Sequence, residues 1–581
     1  MENGETKVKT VTVRQTQKNG DIYVLERRTV YDPEKKYNRV VSTRLVSKIP
    51  KGTDTPVPTR PKRKRGETPL PQPTAAAATR SRVGMMDIVG HVGAESGIDE
   101  AVRASTDPGT AQKIVSLARY LLATNGQSLP GILTWQLNHP LPYGEAITED
   151  VYHNLFVQVG LDESLQQTFF LRRCERLPAT EAVAYDSTTM SVYSENQEEA
   201  RFGFNKAHDG LRTVKVLTLY SVESRQPIAF TKQPGNLPDV VSVGNALKQL
   251  SVLGLTAAEL VTDNGYYSEA NLSELLRCGF KFITLAKTGL KWIRSEIDAR
   301  MEALGDFGTL CPFDTAIHGV TVPVMHEFSR TRKYASRKEG GEKGTEETFT
   351  RRVYVHIYFN MSRQNADRAA LESDLLELKA RLESGTDVAD LSEEAQEKVH
   401  RFFVLKGRGK SLTVAANNKA IRDANRYHGY FVLLSNGERD TFECLRKYRR
   451  RETIESFFEA GKQKADGTRP RVWHADTLRG RMFVQFVALC YYEHFAEKIR
   501  KLKEELGKDI EGGGLTAAEL RTTRKLQAWV KNTPLYLQLQ WFDAVEQVCV
   551  SNGLARRRWS TEVTACDALY LKKLGVIKRF S

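Results

Sequence analysis

Cysteine is sparse and scattered: the seven residues, at 174, 278, 311, 444, 490, 549 and 566, are odd in number and never spaced C-x-x-C. Such a set excludes a disulfide framework and a structural zinc site, and it fits a reducing compartment. Long apolar runs are missing as well. The longest, Met482–Tyr492, is interrupted by Gln485 and falls short of the ~18–20 residues a membrane span needs. The opening residues Met1–Glu5 carry no apolar signal region, so residence in the cytoplasm is expected. The 11 histidines are dispersed and suggest no metal-ligand spacing. What is abundant is positive charge. Lys and Arg number 86 against 71 Asp and Glu, and 86 − 71 gives +15. The excess points to a polyanionic partner, nucleic acid before an acidic membrane surface. With 581 residues, 40% hydrophobic and 27% charged, the chain can bury a large core divided among about four domain-sized pieces.

Residues 1–48 alternate apolar and polar positions (Val8, Val11, Val13; Tyr23, Leu25) around turn signals at Asn19-Gly20 and Asp32-Pro33, which predicts a small β-rich module. Residues 49–106 read as a linker rich in Pro and Ala, with the basic cluster Pro61-Lys-Arg-Lys-Arg65. That cluster is either a phosphate contact or a solvated charge run. Residues 107–179 are helical in pattern, opening on an Asp107 cap followed by Pro108, with Ile114, Leu117 and Leu121 on one face. This unit either reads DNA or packs on the rest of the chain.

From 180 to 290 a specific α/β series follows. Strands are expected at Ala182–Thr188, Thr213–Val222 and Gln226–Lys232, then a helix capped by Asp239 and a strand Glu259–Thr262 that stops at Asp263-Asn-Gly265. A helix capped by Ser268 runs to Arg277, and Gly279–Ala286 is the fifth strand. Three strands, helix, strand, helix, strand is the element order of a ribonuclease-H-like fold, whose mixed five-stranded sheet sets the first and fourth strands side by side. The helix due next, Tyr448 to about Lys464, arrives about 160 residues late. Residues 291–426 are therefore read as an inserted subdomain, with β stretches such as Thr321–Phe328 and Arg352–Phe359 and a helix Asp367–Leu382. The core resumes over 427–500, and 501–581 is a basic, helical C-terminal region.

Three carboxylates stand out by position. Asp186 lies in the first strand and Asp263 ends the fourth, so the topology makes them neighbours. Paired hard carboxylates without nearby His or Cys favour Mg²⁺ or Mn²⁺ over zinc. Each has an ordinary reading too, since Asp-Asn-Gly is often just a turn and an Asp at a strand end often a cap. The third acid comes from Tyr448-Arg-Arg-Arg451-Glu452-Thr-Ile-Glu455-Ser-Phe-Phe-Glu459-Ala-Gly-Lys462. At ~100° per residue Tyr448, Arg451, Glu455 and Lys462 share one helix stripe, but Glu452 and Glu459 share much of it, so phase alone does not choose the ligand. Gly407-Arg-Gly409-Lys410-Ser411 imitates a phosphate loop, yet Val404 stands where that motif needs Gly, which excludes an NTPase. Trp473 follows a basic segment and would either stack on a base or sit in a core. The leucines at 371, 375, 378 and 382 suit a helix covering the insertion better than a coiled coil.

The stretch Tyr448 to Lys462 fits Y-x2-R-x3-E-x6-K at every position and resembles the YREK signature of the insertion-sequence-four (IS-four) superfamily of bacterial DDE transposases. Tyr185-Asp186-Ser-Thr and Thr262-Asp263-Asn-Gly265 resemble the two acidic motifs of that family, and Gly235-Asn236-x-x-Asp239 a motif that precedes its fourth strand. The resemblance covers about 180–290 and 427–500. It implies that Asp186, Asp263 and Glu455 bind two Mg²⁺ (or Mn²⁺) ions. It also implies that Arg451 and Lys462 contact phosphates and that Tyr448 packs on DNA. The neighbouring Arg449, Arg450 and Lys464, with Trp473, extend that DNA surface. Duplex DNA is the implied partner, both as terminal inverted repeats and as target, with a homodimer in the synaptic complex and no membrane. A nuclease that does not join strands, or a DNA-binding relic without catalysis, are the alternatives.

Overall fold

The computed structural model describes residues 8–32, 36–58, 77–178, 180–203, 205, 209–331, 344–407, 413–464, 472–551 and 556–576. The chain divides into two compact units, Met1–Ala77 (with Asn552–Leu554) and the remainder. In the first, β1 (Val8–Thr16), β2 (Ile22–Asp32), β3 (Tyr37–Ile49) and β4 (Val57–Pro58) form an antiparallel meander, as the alternation predicts. The basic cluster at 61–65 lies outside the described residues.

The second unit begins at Ala78, within β5 (Ala77–Arg82), and continues into helices Gly84–Glu95 and Ile98–Ser105. Residues 84–105 are thus not linker. Met85, Ile88, Val89, Val92, Ile98 and Val102 are all buried, and this apolar spacing outweighs the Pro- and Ala-rich character of the preceding stretch. The next helix, Pro108–Ala123, is capped as expected, the Asp107 carboxylate accepting from the Gly109 and Thr110 amides.

Among the described residues, nine strands make one mixed sheet. Its first part is β6 (Ala182–Val192), β7 (Arg212–Ser221), β8 (Gln226–Pro234), β9 (Glu259–Thr262) and β10 (Lys281–Ala286), ordered β8-β7-β6-β9-β10. β6 pairs with β7 antiparallel and with β9 parallel, and β9 pairs parallel with β10. β9 is buried throughout, as an interior parallel strand should be. The strands of the inserted segment, β11 (Leu310–Cys311), β12 (Asp314–Thr331) and β13 (Glu346–Asn360), do not form a sheet of their own. After the small hairpin β14 (Phe403–Lys406) and β15 (Thr413–Ala416), strand β16 (Tyr430–Ser435) pairs with both β10 and β13 and splices them onto the core sheet. The helical part and this hairpin stand apart, with Leu375, Leu378, Leu382, Val399, Phe402, Phe403 and Val414 in a separate core.

Helices cover both sheet faces. Tyr185 points toward the helix Asp239–Val252 and donates to the Ser242 carbonyl at 3.1 Å. On the opposite face, Thr188 and Met190 line an apolar cavity with Phe457 of the helix Thr453–Lys464 and Met482 of the helix Ala475–Glu511. That last helix has 37 residues, about 55 Å at ~1.5 Å per residue, and Met482–Tyr491 is buried on every side. It crosses the helix Glu149–Leu161 at two glycines: a Cβ on Gly480 would fall 1.9 Å from the Phe156 carbonyl oxygen, and one on Gly160 1.8 Å from that of Asp476. The C-terminal region is not wholly helical. β17 (Glu546–Ser551) and β18 (Arg556–Ser560) form a hairpin that joins β5 in a three-stranded sheet. No described helix is long and apolar enough to cross a membrane.

Candidate active site

The parallel pairing of β6 with β9 sets Tyr185 opposite Thr262, and the next residue of each strand is an aspartate. Asp186 and Asp263 therefore stand side by side, one strand spacing of ~4.8 Å apart in backbone. Local donors hold one oxygen of each. Asp186 Oδ1 accepts from the Ser187 amide at 2.8 Å and from the Tyr266 hydroxyl at 3.4 Å. Asp263 Oδ1 accepts from the Asn264 amide at 2.8 Å and from the Tyr448 hydroxyl at 2.9 Å. The other oxygens face the Arg451 guanidinium, at 3.3 Å from Asp186 Oδ2 and 3.7 Å from Asp263 Oδ2. Glu455 Oε1 completes the group at 3.4 Å from the same side chain.

Tyr448 to Lys462 is not one helix. Thr441–Arg450 and Thr453–Lys464 are separate, joined by a tight turn in which the amides of Arg451, Glu452, Ile454 and Glu455 each bond three residues back. The Thr453 hydroxyl donates to the Arg450 carbonyl at 2.7 Å and closes the first helix. Buried Ile454, Phe457 and Phe458 fix the second helix, leaving Glu452, Glu455 and Glu459 exposed. Of these, Glu455 is the one in contact with Arg451, a choice that helix phase left open. The first helix is pinned by Lys447, whose ammonium reaches Glu259 and Glu438 at 2.9 Å each. Burial opposes that charge, but the two carboxylates outweigh it and hold the ammonium above its ordinary range.

Arg451 is 5% exposed. Burial disfavours its charge too, yet Tyr448, Asp263, Asp186 and Glu455 together raise its pKa. Its Nε is buried without a hydrogen-bond acceptor. Burial and the neighbouring Asp263 likewise raise the Tyr448 phenol, which stays protonated and donates. The phosphate contact expected of Arg451 is thus replaced, in the chain alone, by contact with the three acids.

The remaining expected residues are dispersed. Arg449 pairs with Asp314 of β12 at 2.7 Å, and Arg450 is half-buried. Lys462 lines the apolar cavity beneath the helix. The Lys464 side chain and residues 465–471 lie outside the described residues. Trp473 is not core: it is 68% exposed, and its carbonyl accepts from the Ser194 hydroxyl at 3.0 Å.

Sequence reasoning missed a supporting ring. Asp239 is not a cap. It is the first residue of its helix, and its Oδ1 accepts from the Ser187 hydroxyl at 2.9 Å and from the Lys215 ammonium at 2.8 Å. The Gly235–Asp239 motif was the available signal. Among the described residues no three acid, His or Cys side chains stand close enough to hold a metal ion together. The Arg451 guanidinium occupies the point on which the acids converge.

The fold and this acid group go with a family match. The chain belongs to the transposase DDE domain family, which matches residues 178–491, more than half of the chain, including all three acids. Among solved structures, the cryo-EM structure of a piggyBac transposase synaptic complex with hairpin DNA is similar at a TM-score of 0.33 and 11% identity. That similarity covers 79% of this chain and 78% of the other, and it is too distant to carry an argument. No curated protein matches the chain in sequence.

Proposed function

We propose that the chain is a cut-and-paste DNA transposase with the YREK pattern of the IS-four superfamily, built on a ribonuclease-H-like core. In this reading Asp186, Asp263 and Glu455 are its metal-binding acids. The observation that carries the reading is the division of labour among carboxylate oxygens: Oδ1 of both aspartates is held by protein donors, while Oδ2 of both, with Glu455, faces one cation position. A donor set of three carboxylates fits Mg²⁺ or Mn²⁺, with two ions required by the chemistry. When bound, such ions supply Lewis acidity that activates water or a 3′-hydroxyl and offsets charge on the leaving oxygen.

The chain's own residues do the rest. Ser187, Tyr266, Asn264 and Tyr448 orient the two aspartates, and Asp239 with Lys215 braces Ser187. Arg451, displaced from the acids, moves to a DNA phosphate, where its planar fork makes equivalent bonds. Lys462, Arg450 and exposed Trp473 extend the DNA path. Arg449, held by Asp314, positions the helix and does not bind DNA directly. The DNA is the element's inverted repeats and a target, brought together by a homodimer in the cytoplasm, at the nucleoid.

The test is excision. A plasmid carrying a donor marker between the DNA segments that flank this gene is incubated with Mg²⁺ and purified protein. Wild type should excise the marker and join it to target DNA, and Asp186→Ala, Asp263→Ala or Glu455→Ala should bind DNA but not cut. Excision without joining would mean a nuclease. Binding without cutting by wild type would mean a relic.

A further inference from the structure

The N-terminal sheet carries its own pattern of charge. The sequences of β1, β2 and β3 hold seven Lys and Arg against two acids. Registered pairs share a face, so Arg14 opposite Val24, Arg28 opposite Ser42, Arg39 opposite Val30 and Arg44 opposite Glu26 all point to the same side. Arg39 and Arg44 are five positions apart and would alternate to opposite faces in a regular strand. The register shift at Arg28/Thr29 leaves Val41 unpaired and returns both arginines to one face. All four arginines are exposed. The hydroxyls of Thr10, Thr12 and Ser42 stand between them, and both acids of these strands share the face, Glu26 in the middle of the set and Asp32 at its edge. The other face takes half-buried Val13, Tyr23, Leu25 and Leu45 with the remaining cations Lys9, Arg27 and Lys48, the last of them paired with Asp21.

We infer that the arginine face of β1–β3 is a second duplex-DNA binding surface, separate from the carboxylate site. It would sit across a groove, with arginines on phosphates and the small hydroxyls toward base edges. Scale agrees with this. The outer strands lie about 10 Å apart, two strand spacings, against a major groove ~12 Å wide. Sheets are an established means of entering a groove, and small hydroxyl side chains pair with either base type. Four exposed arginines against two acids on this face suit the DNA backbone better than a protein partner, since arginine forks match phosphate oxygens. The inference rests on the transposase reading and adds a DNA contact on the first compact unit.

The test measures binding of the full chain to a short mixed-sequence DNA duplex over a range of salt concentrations. Loss of four phosphate contacts should lower the slope of log affinity against log salt by about three to four in R14Q/R28Q/R39Q/R44Q. R14K/R28K/R39K/R44K should keep the slope, as should K9Q/R27Q on the opposite face. Should the fourfold Gln variant fail to fold, R14Q/R28Q and R39Q/R44Q each lose about two. A wild-type slope in the Gln variants would overturn the inference and leave the transposase reading standing. An equal loss in K9Q/R27Q, or a loss seen on an RNA duplex and not on DNA, would overturn it too. Failure of wild type to bind any duplex would overturn the transposase reading and this one with it.

Discussion

Replacing Arg451 with methionine keeps an unbranched stem and removes the guanidinium that three carboxylates contact. Breaking a fully buried ion pair costs about 3–5 kcal/mol. Here the Arg451 side chain is 6% exposed, but its partners Asp186, Asp263 and Glu455 are 14%, 42% and 62% exposed, so water screens much of the loss. In the presence of EDTA the variant should therefore be less stable than wild type by about 1–3 kcal/mol. Divalent ions reverse the deficit because they bind the folded chain's bare acids. At a hundredfold excess over the dissociation constant they add about 2.7 kcal/mol to the variant. Wild type gains less, since the ion must first displace the guanidinium. Urea denaturation of both proteins, with Mg²⁺ and with EDTA, measures all four states. Equal stability of the two proteins in EDTA, or equal gain from Mg²⁺, would refute the view that Arg451 and the metal compete for one place.

Gly480→Ala should destabilise the fold by about 3 kcal/mol, because its Cβ would lie 1.9 Å from the Phe156 carbonyl oxygen and neither helix backbone can yield without the other; chemical denaturation reads this directly. Burial pushes the Glu493 carboxyl up to about 7, against the hydrogen bond it accepts from Tyr220 at 2.8 Å. The folded state therefore holds this proton longer than the unfolded chain, and the contribution of Glu493 to stability is full below its ordinary value near 4.5 and lost as pH rises through about 7. Glu493→Gln, which still accepts from Tyr220, should gain stability relative to wild type between those limits, and parallel pH profiles would count against the buried acid. Trp473→Ala should leave stability within about 0.5 kcal/mol, given its exposure, while weakening binding to a DNA end with unpaired bases by about 1–3 kcal/mol.

What was legible in the sequence was local. Asp107 before Pro108 and Ser268 before its helix satisfy backbone amides within three residues, and both caps are where the sequence puts them. The strand order follows from element order alone, so the adjacency of Asp186 and Asp263 was readable before any geometry. Most misreadings involve distant partners; the linker reading of 84–105 is the exception, since its apolar spacing was local. Nothing in Arg449-Arg450-Arg451-Glu452 discourages helix. The break there goes with Lys447 drawn to Glu259 and Glu438, and with Arg451 drawn to acids on β6 and β9. Asp239 has the signature of a cap but turns instead to Lys215, 24 positions away. The inserted strands alternate like any others, and periodicity does not say that β16 will seat them on the edge of the core sheet.

The position of Arg451 also bears on the order of events. A guanidinium makes equivalent bonds to carboxylate and to phosphate, so leaving the acids for DNA exchanges one anion for another at little cost to the arginine. The cost falls on the carboxylates, which would then face one another without a cation. Divalent ions remove it, and the vacated guanidinium gains an acceptor for the Nε that is orphaned in the chain alone. DNA and metal therefore favour each other through Arg451, and by linkage each must tighten the other by the same factor. Mg²⁺ should strengthen binding of an end-bearing duplex to wild type several-fold, more than it does for Arg451→Met. If Mg²⁺ strengthens both to the same degree, the arginine is a structural counter-ion only, and phosphate recognition at this site falls to Lys462 and its neighbours.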